Sequence, residues 1–135
     1  MANALFDKGR EGFLDGSIDW DTNTITMIGV DHADDTPVIA TDDNLDDITG
    51  AARVGSWTPF ASKTVTDGVA DAADITATTV SGDQFESLVI YKDTGTESTS
   101  RLIAYIDSAT GLPCTPNGGN ITVAWDNGAN KIFKL

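Results

Sequence analysis

The sequence predicts an all-β chain: a single β-sandwich or barrel of about eight short antiparallel strands, with a short N-terminal helix. Three observations carry this. The densest apolar runs, Leu88–Tyr91 and Leu102–Ile106, are too short for free-standing helices and rich in β-branched and aromatic residues. They flank a polar loop, Lys92–Arg101, as the arms of a hairpin would, and being apolar on both faces they belong in the interior of a sheet structure. Third, the 135 residues contain 18 Asp but only 3 Glu, with abundant Thr, Gly and Asn. Asp favours turns and caps, whereas Glu favours helix interiors.

Taken in order, residues 1–16 form an N-terminal helix or arm and residues 17–135 the β domain. Asn3 to Leu14 is the helix candidate, with Asn3 as cap and Leu5, Phe6, Arg10, Phe13 and Leu14 at loose three-to-four spacing. Gly9 and Gly12 weaken it, each by about 1 kcal/mol relative to Ala, so it needs a surface to pack against. Asp15-Gly16-Ser17 breaks the pattern. Strands are expected at Ile18–Trp20, Thr24–Val30, Ala52–Ser56, Lys63–Asp67 and Ile75–Val80, then at the two arms of the central hairpin. Thr41–Ile48 reads as one or two helical turns capped by Thr41, with Leu45 and Ile48 inward. Asp107–Asn120, with two Pro and three Gly, is a run of tight turns. Ile121–Trp125 alternates with period two, Asp126–Asn130 is a hairpin loop, and Lys131–Leu135 closes the chain as a strand pinned in the sheet.

The formal net charge of −13 repels phosphate backbones and anionic bilayers, so nucleic-acid and membrane partners are not expected. No run approaches the roughly 18–20 apolar residues of a membrane span. The N-terminus has no apolar stretch of signal-peptide length, so the expectation is a chain made and used without secretion. One cysteine, Cys114, permits no intrachain disulfide and reads as a small apolar filler.

Catalytic constellations are absent from the reading. His32, the one histidine, sits among Asp31, Asp34 and Asp35 with no second ligand at zinc-type spacing. No Ser lies in a Gly-x-Ser-x-Gly elbow, and Asn117–Asn120 lacks the Lys-Ser/Thr of a phosphate loop. Seven Asp lie between Asp31 and Asp47, and Asp19–Asn23 begins like a calcium loop. The helix–loop–helix calcium pattern then fails at Thr24 and Val30. Turn caps on a solvated surface are the preferred reading, calcium the alternative. Trp20, Trp57 and Trp125 fit core or subunit contacts better than a sugar-stacking platform. No cofactor, metal ligand or catalytic residue is assigned, and the chain is read as a non-enzyme.

Several segments carry a resemblance. Lys8-Gly-Arg-Glu-Gly-Phe-Leu-Asp-Gly-Ser-Ile-Asp-Trp20 resembles the start of a group of small tailed-bacteriophage virion proteins. Val65-Thr-Asp-Gly-Val-Ala-Asp-Ala-Ala-Asp-Ile-Thr, Leu88-Val-Ile-Tyr-Lys-Asp-Thr-Gly, Gly111-Leu-Pro, Pro116-Asn-Gly-Gly and Trp125-Asp-Asn-Gly extend it over most of the chain, Asp31–Phe60 matching least. These motifs mark strands and turns, so the resemblance implies a structural role and transfers no catalytic residues. It implies capsid decoration (a cement protein), with a neck, tail or fibre component, including a carbohydrate-binding module, as the alternative. The implied partners are the major capsid protein or other virion proteins and further copies of the chain, as a trimer. The implied location is the virion, after synthesis in the host bacterial cytoplasm. The candidate contacts are Leu5, Phe6, Arg10, Phe13 and Leu14 on the arm, and Trp57 and Phe60 in the loop region, with the hairpin tip Thr94–Ser100 as a third surface.

Overall fold

Two strands are buried on both faces, and the architecture follows from covering them. In the computed structural model, which describes residues 2–135, β2 (Ile25–Val30) is buried at every position and β6 (Ser87–Lys92) at all but its last. They pair antiparallel from Ile25↔Lys92 to Val30↔Ser87 at the centre of a five-stranded sheet. Its order is β1 (Ala4–Leu5), β7 (Leu102–Ile106), β6, β2, β3 (Arg53–Val54). The expected hairpin is β6–β7, with a register shift between Ile90 and Tyr91. Both edge strands are two residues long, which leaves little open edge for another chain to pair with.

Each face has its own core. On one, Ile25, Met27, Leu88 and Ile90 meet Trp20, Trp57, Phe60, Phe85 and Trp125. That cover includes two small ribbons, β4 (Val69–Ala70) with β9 (Phe133–Lys134) and β5 (Ile75–Ala77) with β8 (Ile121–Val123). On the other, Ile28, Val30, Val89, Tyr91 and Tyr105 meet Phe6, Leu45, Ile48 and Ala52. The acid-rich segment between β2 and β3 is thus a lid, with its few apolar residues facing down. Gly29 admits Phe85 to the first core: a Cβ there would lie 2.8 Å from the Phe85 ring.

Several local expectations are corrected. The helix α1 runs Asp7–Asp15, not from Asn3, and its cap position is Phe6. Asn3 instead bridges to the end of β7, its Oδ1 accepting from the Asp107 and Ser108 N–H groups at 2.9 Å. Backbone pairing of Ala4 and Leu5 with β7 outcompetes the extra helical turn. The described part of the N-terminal segment, residues 2–16, is therefore knitted into the central sheet. Ile18–Trp20 and Lys63–Asp67 are not strands; the latter is reduced to one Thr64↔Asp71 bridge before a 3₁₀ turn at Thr66–Gly68. The 3₁₀ turn in the lid spans Leu45–Asp47 rather than starting at Thr41. The largest difference is at the C-terminus: β8 and β9 do not pair with each other, because each reaches back to β5 and β4.

Gly9 and Gly12, weaknesses when the helix is considered alone, are the residues that seat it. A Cβ on Gly9 would lie 2.8 Å from the Leu102 carbonyl oxygen and 2.9 Å from Ile103 Cα, both rigid backbone. Gly9→Ala gains about 1 kcal/mol of helix propensity and incurs about 1–3 kcal/mol of overpacking. Net destabilisation in urea unfolding is expected, and a stabilised variant would contradict the contact.

Arg53 holds the lid. Its Nε and Nη2 donate to the Ile48 carbonyl at 3.0 and 2.7 Å, and Nη2 also to that of Leu45 at 2.7 Å. The same guanidinium grips Glu97 at 2.7 and 3.2 Å, tying the hairpin tip to the lid. That pairing holds the Glu97 carboxyl below its ordinary range. Arg53→Ala orphans the Ile48 carbonyl, takes one of two donors from that of Leu45 and is expected to destabilise by about 2–4 kcal/mol. Glu97→Gln, at an exposed position, should barely move the unfolding midpoint; equal effects would assign the clamp to the ion pair alone.

Candidate interaction surface

The sequence-selected contact residues separate by burial. Phe6 is fully buried in the lid-side core. Trp57 and Phe60 are core side chains, Trp57 edge-on to Phe85 at 6.2 Å and Phe60 against Trp20 at 5.9 Å and Trp125 at 5.4 Å. None of the three is available as a surface anchor. Leu5 is half-buried opposite Ala104. Arg10 is exposed but occupied, donating to the Leu5 carbonyl at 2.8 Å and pairing with Asp7. Phe13 is half-buried against Phe133, with ring centroids 5.8 Å apart. Leu14 is 90% exposed. Deleting the arm would remove Phe6 and strand β1 from the fold, so the contact role of this segment is tested by point substitution instead.

Trp20, Trp57 and Trp125 are 3%, 5% and 9% exposed. No ring face is free to stack on a sugar, which removes the basis of the carbohydrate-binding alternative.

What the fold does expose is an apolar groove of about 270 Å³ beside the C-terminal end of α1. Phe13, Ile18, Trp20, Val65, Val69 and Phe133 line it. Trp20 meets Phe133 edge-on at 5.2 Å, so the two rings form a rigid aromatic wall. Val65 is 49% exposed, and Leu135, which also lines the groove, 60%. Leu14 follows Phe13 directly and lies two residues before Gly16, another lining residue. Of the lining residues Phe13 is a contact candidate visible in the helix pattern, whereas Val65, Phe133 and Leu135 carry no such signal in the sequence. Only the pairing of β9 with β4 brings the last two to the helix. A second cleft, about 460 Å³, opens between the β1–β7 edge and β8–β9, with Leu5, Ile106, Val123 and Phe133 in its walls.

The polar clusters do structural work. Asp47 Oδ2 accepts from the Asp43 and Asn44 N–H groups at 2.7 and 3.1 Å, Asp42 Oδ2 from Val38 N–H at 2.7 Å, and Asp35 Oδ2 from Thr49 N–H at 2.7 Å. These carboxylates tie down the turns of the lid. Asp31, Asp34 and Asp83 bring carboxylate oxygens within 4.8 Å of one another; Asp31 Oδ1 accepts from Ala33 N–H at 2.8 Å. Asp83 was not foreseen as part of this group. His32 Nε2 lies 2.9 Å from Ser87 Oγ and 3.5 Å from the Tyr105 hydroxyl, which donates to Asp107 Oδ2 at 3.1 Å. Ser87 is fully buried, so its hydroxyl has no approach for a substrate. At the hairpin tip, Ser100 Oγ donates to the Thr96 carbonyl at 2.8 Å and accepts from Thr94 N–H at 3.1 Å, closing the loop on itself.

Comparison with known proteins finds no matching family model and no matching curated protein.

Burial, reinforced by the Asp107 hydrogen bond and charge, pushes the Tyr105 hydroxyl up to about 12. A free tyrosine ionises near pH 10. Between these values the folded chain keeps a proton that the unfolded chain releases, so stability falls as pH rises from about 10 towards 12. Tyr105→Phe is expected to flatten that alkaline loss in urea unfolding. Ionisation of Tyr105 near pH 10 in an absorbance titration would contradict the buried, Asp107-bonded hydroxyl.

Proposed function

We propose that the chain is a non-enzymatic bacteriophage virion structural protein that decorates and stabilises the capsid through protein–protein contacts. The virion setting is supported by the resemblance of Lys8–Trp20, Val65–Thr76 and Leu88–Gly95 to small tailed-phage virion proteins. The observation that carries the docking reading is an open apolar groove walled by Trp20 and Phe133, with Val65 49% and Leu135 60% exposed on its lining and Leu14, 90% exposed, next in sequence to its lining residue Phe13. Burying such a side chain contributes about 1.5–3 kcal/mol, little for one site but substantial for an array of copies on one shell. The major capsid protein is the partner in this reading, and the chain assembles as a trimer on it.

The test uses empty capsids of the parent phage mixed with the purified chain and followed by co-sedimentation. Leu14 and Val65 are both well exposed, so Leu14→Asp with Val65→Asp should leave the unfolding midpoint nearly unchanged. Capsid occupancy is expected to weaken about tenfold or more, the equivalent of about 1.4 kcal/mol. Undiminished occupancy would reject the docking face, and failure of the unaltered chain to bind capsids would reject the decoration role. Sedimentation equilibrium tests the trimer.

A further inference from the structure

The groove beside α1 has a charge pattern as well as a shape. No Lys or Arg lines it, and Asp19 does. Asp15 precedes the lining residue Gly16, and Asp21 lies two residues beyond Asp19; all three carboxylates are exposed. Among the described residues, none of these three forms an ion pair. Of the nearby cations, Lys92 Nζ donates to the Ser17 carbonyl at 2.7 Å and Lys63 Nζ to that of Asn23 at 2.6 Å, while Lys134, between the lining residues Phe133 and Leu135, lines the neighbouring clefts instead. Asp19 and Asp21, two residues apart on this exposed loop, act on each other so that the first carboxyl is lowered and the second raised. Two carboxylates held side by side in this way are relieved by a cation arriving from outside.

These features select among occupants. A second copy brings its own net charge of −13 to an acidic rim, so self-association at this groove is opposed. An anionic lipid surface is opposed for the same reason. A volume of about 270 Å³ accommodates one or two apolar side chains rather than a sizeable free ligand. We propose that the groove takes an apolar side chain carried on a segment of a partner protein that is flanked by Lys or Arg. This rests on the reading of the groove as the docking face and adds the chemistry of what docks there. The aromatic wall, Val65 and Leu135 cover the apolar side chain, while Asp15, Asp19 and Asp21 meet the flanking cations.

The test is a heteronuclear NMR titration of the full chain with three hexapeptides. One has Leu-Phe at its centre and two Lys on each side. The second replaces Lys with Glu, and the third replaces Leu-Phe with Ser-Ser while keeping Lys. The first peptide is expected to shift the signals of Phe13, Ile18 and the Trp20 indole, and the other two are not. Asp19→Asn with Asp21→Asn should weaken the first peptide about three- to tenfold, an effect that fades in high salt. Equal binding by the Glu-flanked peptide, or shifts confined to Asp31–Asp47, would overturn the proposal. Its failure separates from that of the capsid reading. Capsids that lose the Leu14→Asp/Val65→Asp variant while the peptides fail to discriminate would overturn only the cationic partner. Peptides that discriminate while capsids ignore the variant would reject only the capsid as that partner.

Discussion

The constraint on which the structure depends is the two-sided burial of β2 and β6. A strand with one apolar face needs one cover; these have two, and a five-stranded sheet with a bare face would expose several hundred Å² of apolar surface. The chain divides accordingly. Residues between β2 and β3, together with Phe6, close one face, and the segments on either side of the β6–β7 hairpin close the other. The second cover is itself made of β ribbons because its two halves, 57–85 and 108–135, are separated in sequence by the hairpin and are joined by β4–β9, β5–β8 and the Phe85↔Cys114 bridge.

The lid shows how an acidic segment can serve as a cover. It has few apolar residues, and its seven Asp between Asp31 and Asp47 repel one another. Two things offset that repulsion. Several carboxylates accept backbone N–H bonds from their own turns, so the charge fixes the local conformation instead of opposing it. Arg53, on the edge strand just beyond the lid, then satisfies the Ile48 carbonyl and gives the Leu45 carbonyl a second donor beside Ile48 N–H. The cation acts mainly on peptide dipoles and on Glu97, which is why one guanidinium suffices for a segment with so many acids.

What was legible in the sequence was whatever depends on short-range pattern. The β6–β7 hairpin, strand β2 and the inward Leu45 and Ile48 follow from apolar runs and turn residues. What was not legible depends on long-range pairing. Asp126–Asn130 is an adequate hairpin loop, yet β8 and β9 part after it because β5 and β4 offer partners already anchored to the core. Asn3 is a good cap, but its amide is worth more bridging Asp107 and Ser108, where it helps hold the first strand on the sheet edge. For the candidate surface the lesson is similar. Periodicity identified Phe13 and Leu14 without separating them from buried Phe6. Val65 and Phe133 come from opposite halves of the chain, and no local pattern marks them as neighbours of the helix.

The distribution of exposed apolar side chains bears on function more directly than any polar cluster. Among the described residues the large ones that protrude are Leu14, Val38, Val65 and Leu135; Val65 and Leu135 line one groove, and Leu14 is next in sequence to its lining residue Phe13. Single exposed apolar residues are ordinary, but grouping around a concave aromatic wall is what a binding surface requires. The charge of the chain makes that exposure tolerable. With a net charge of −13 and an acidic rim at the groove, contact between two copies at this face is opposed. The same acidic rim that opposes a second copy at this groove favours a cationic partner there, so in the proposed docking the acidity discriminates among occupants and the groove supplies the contact.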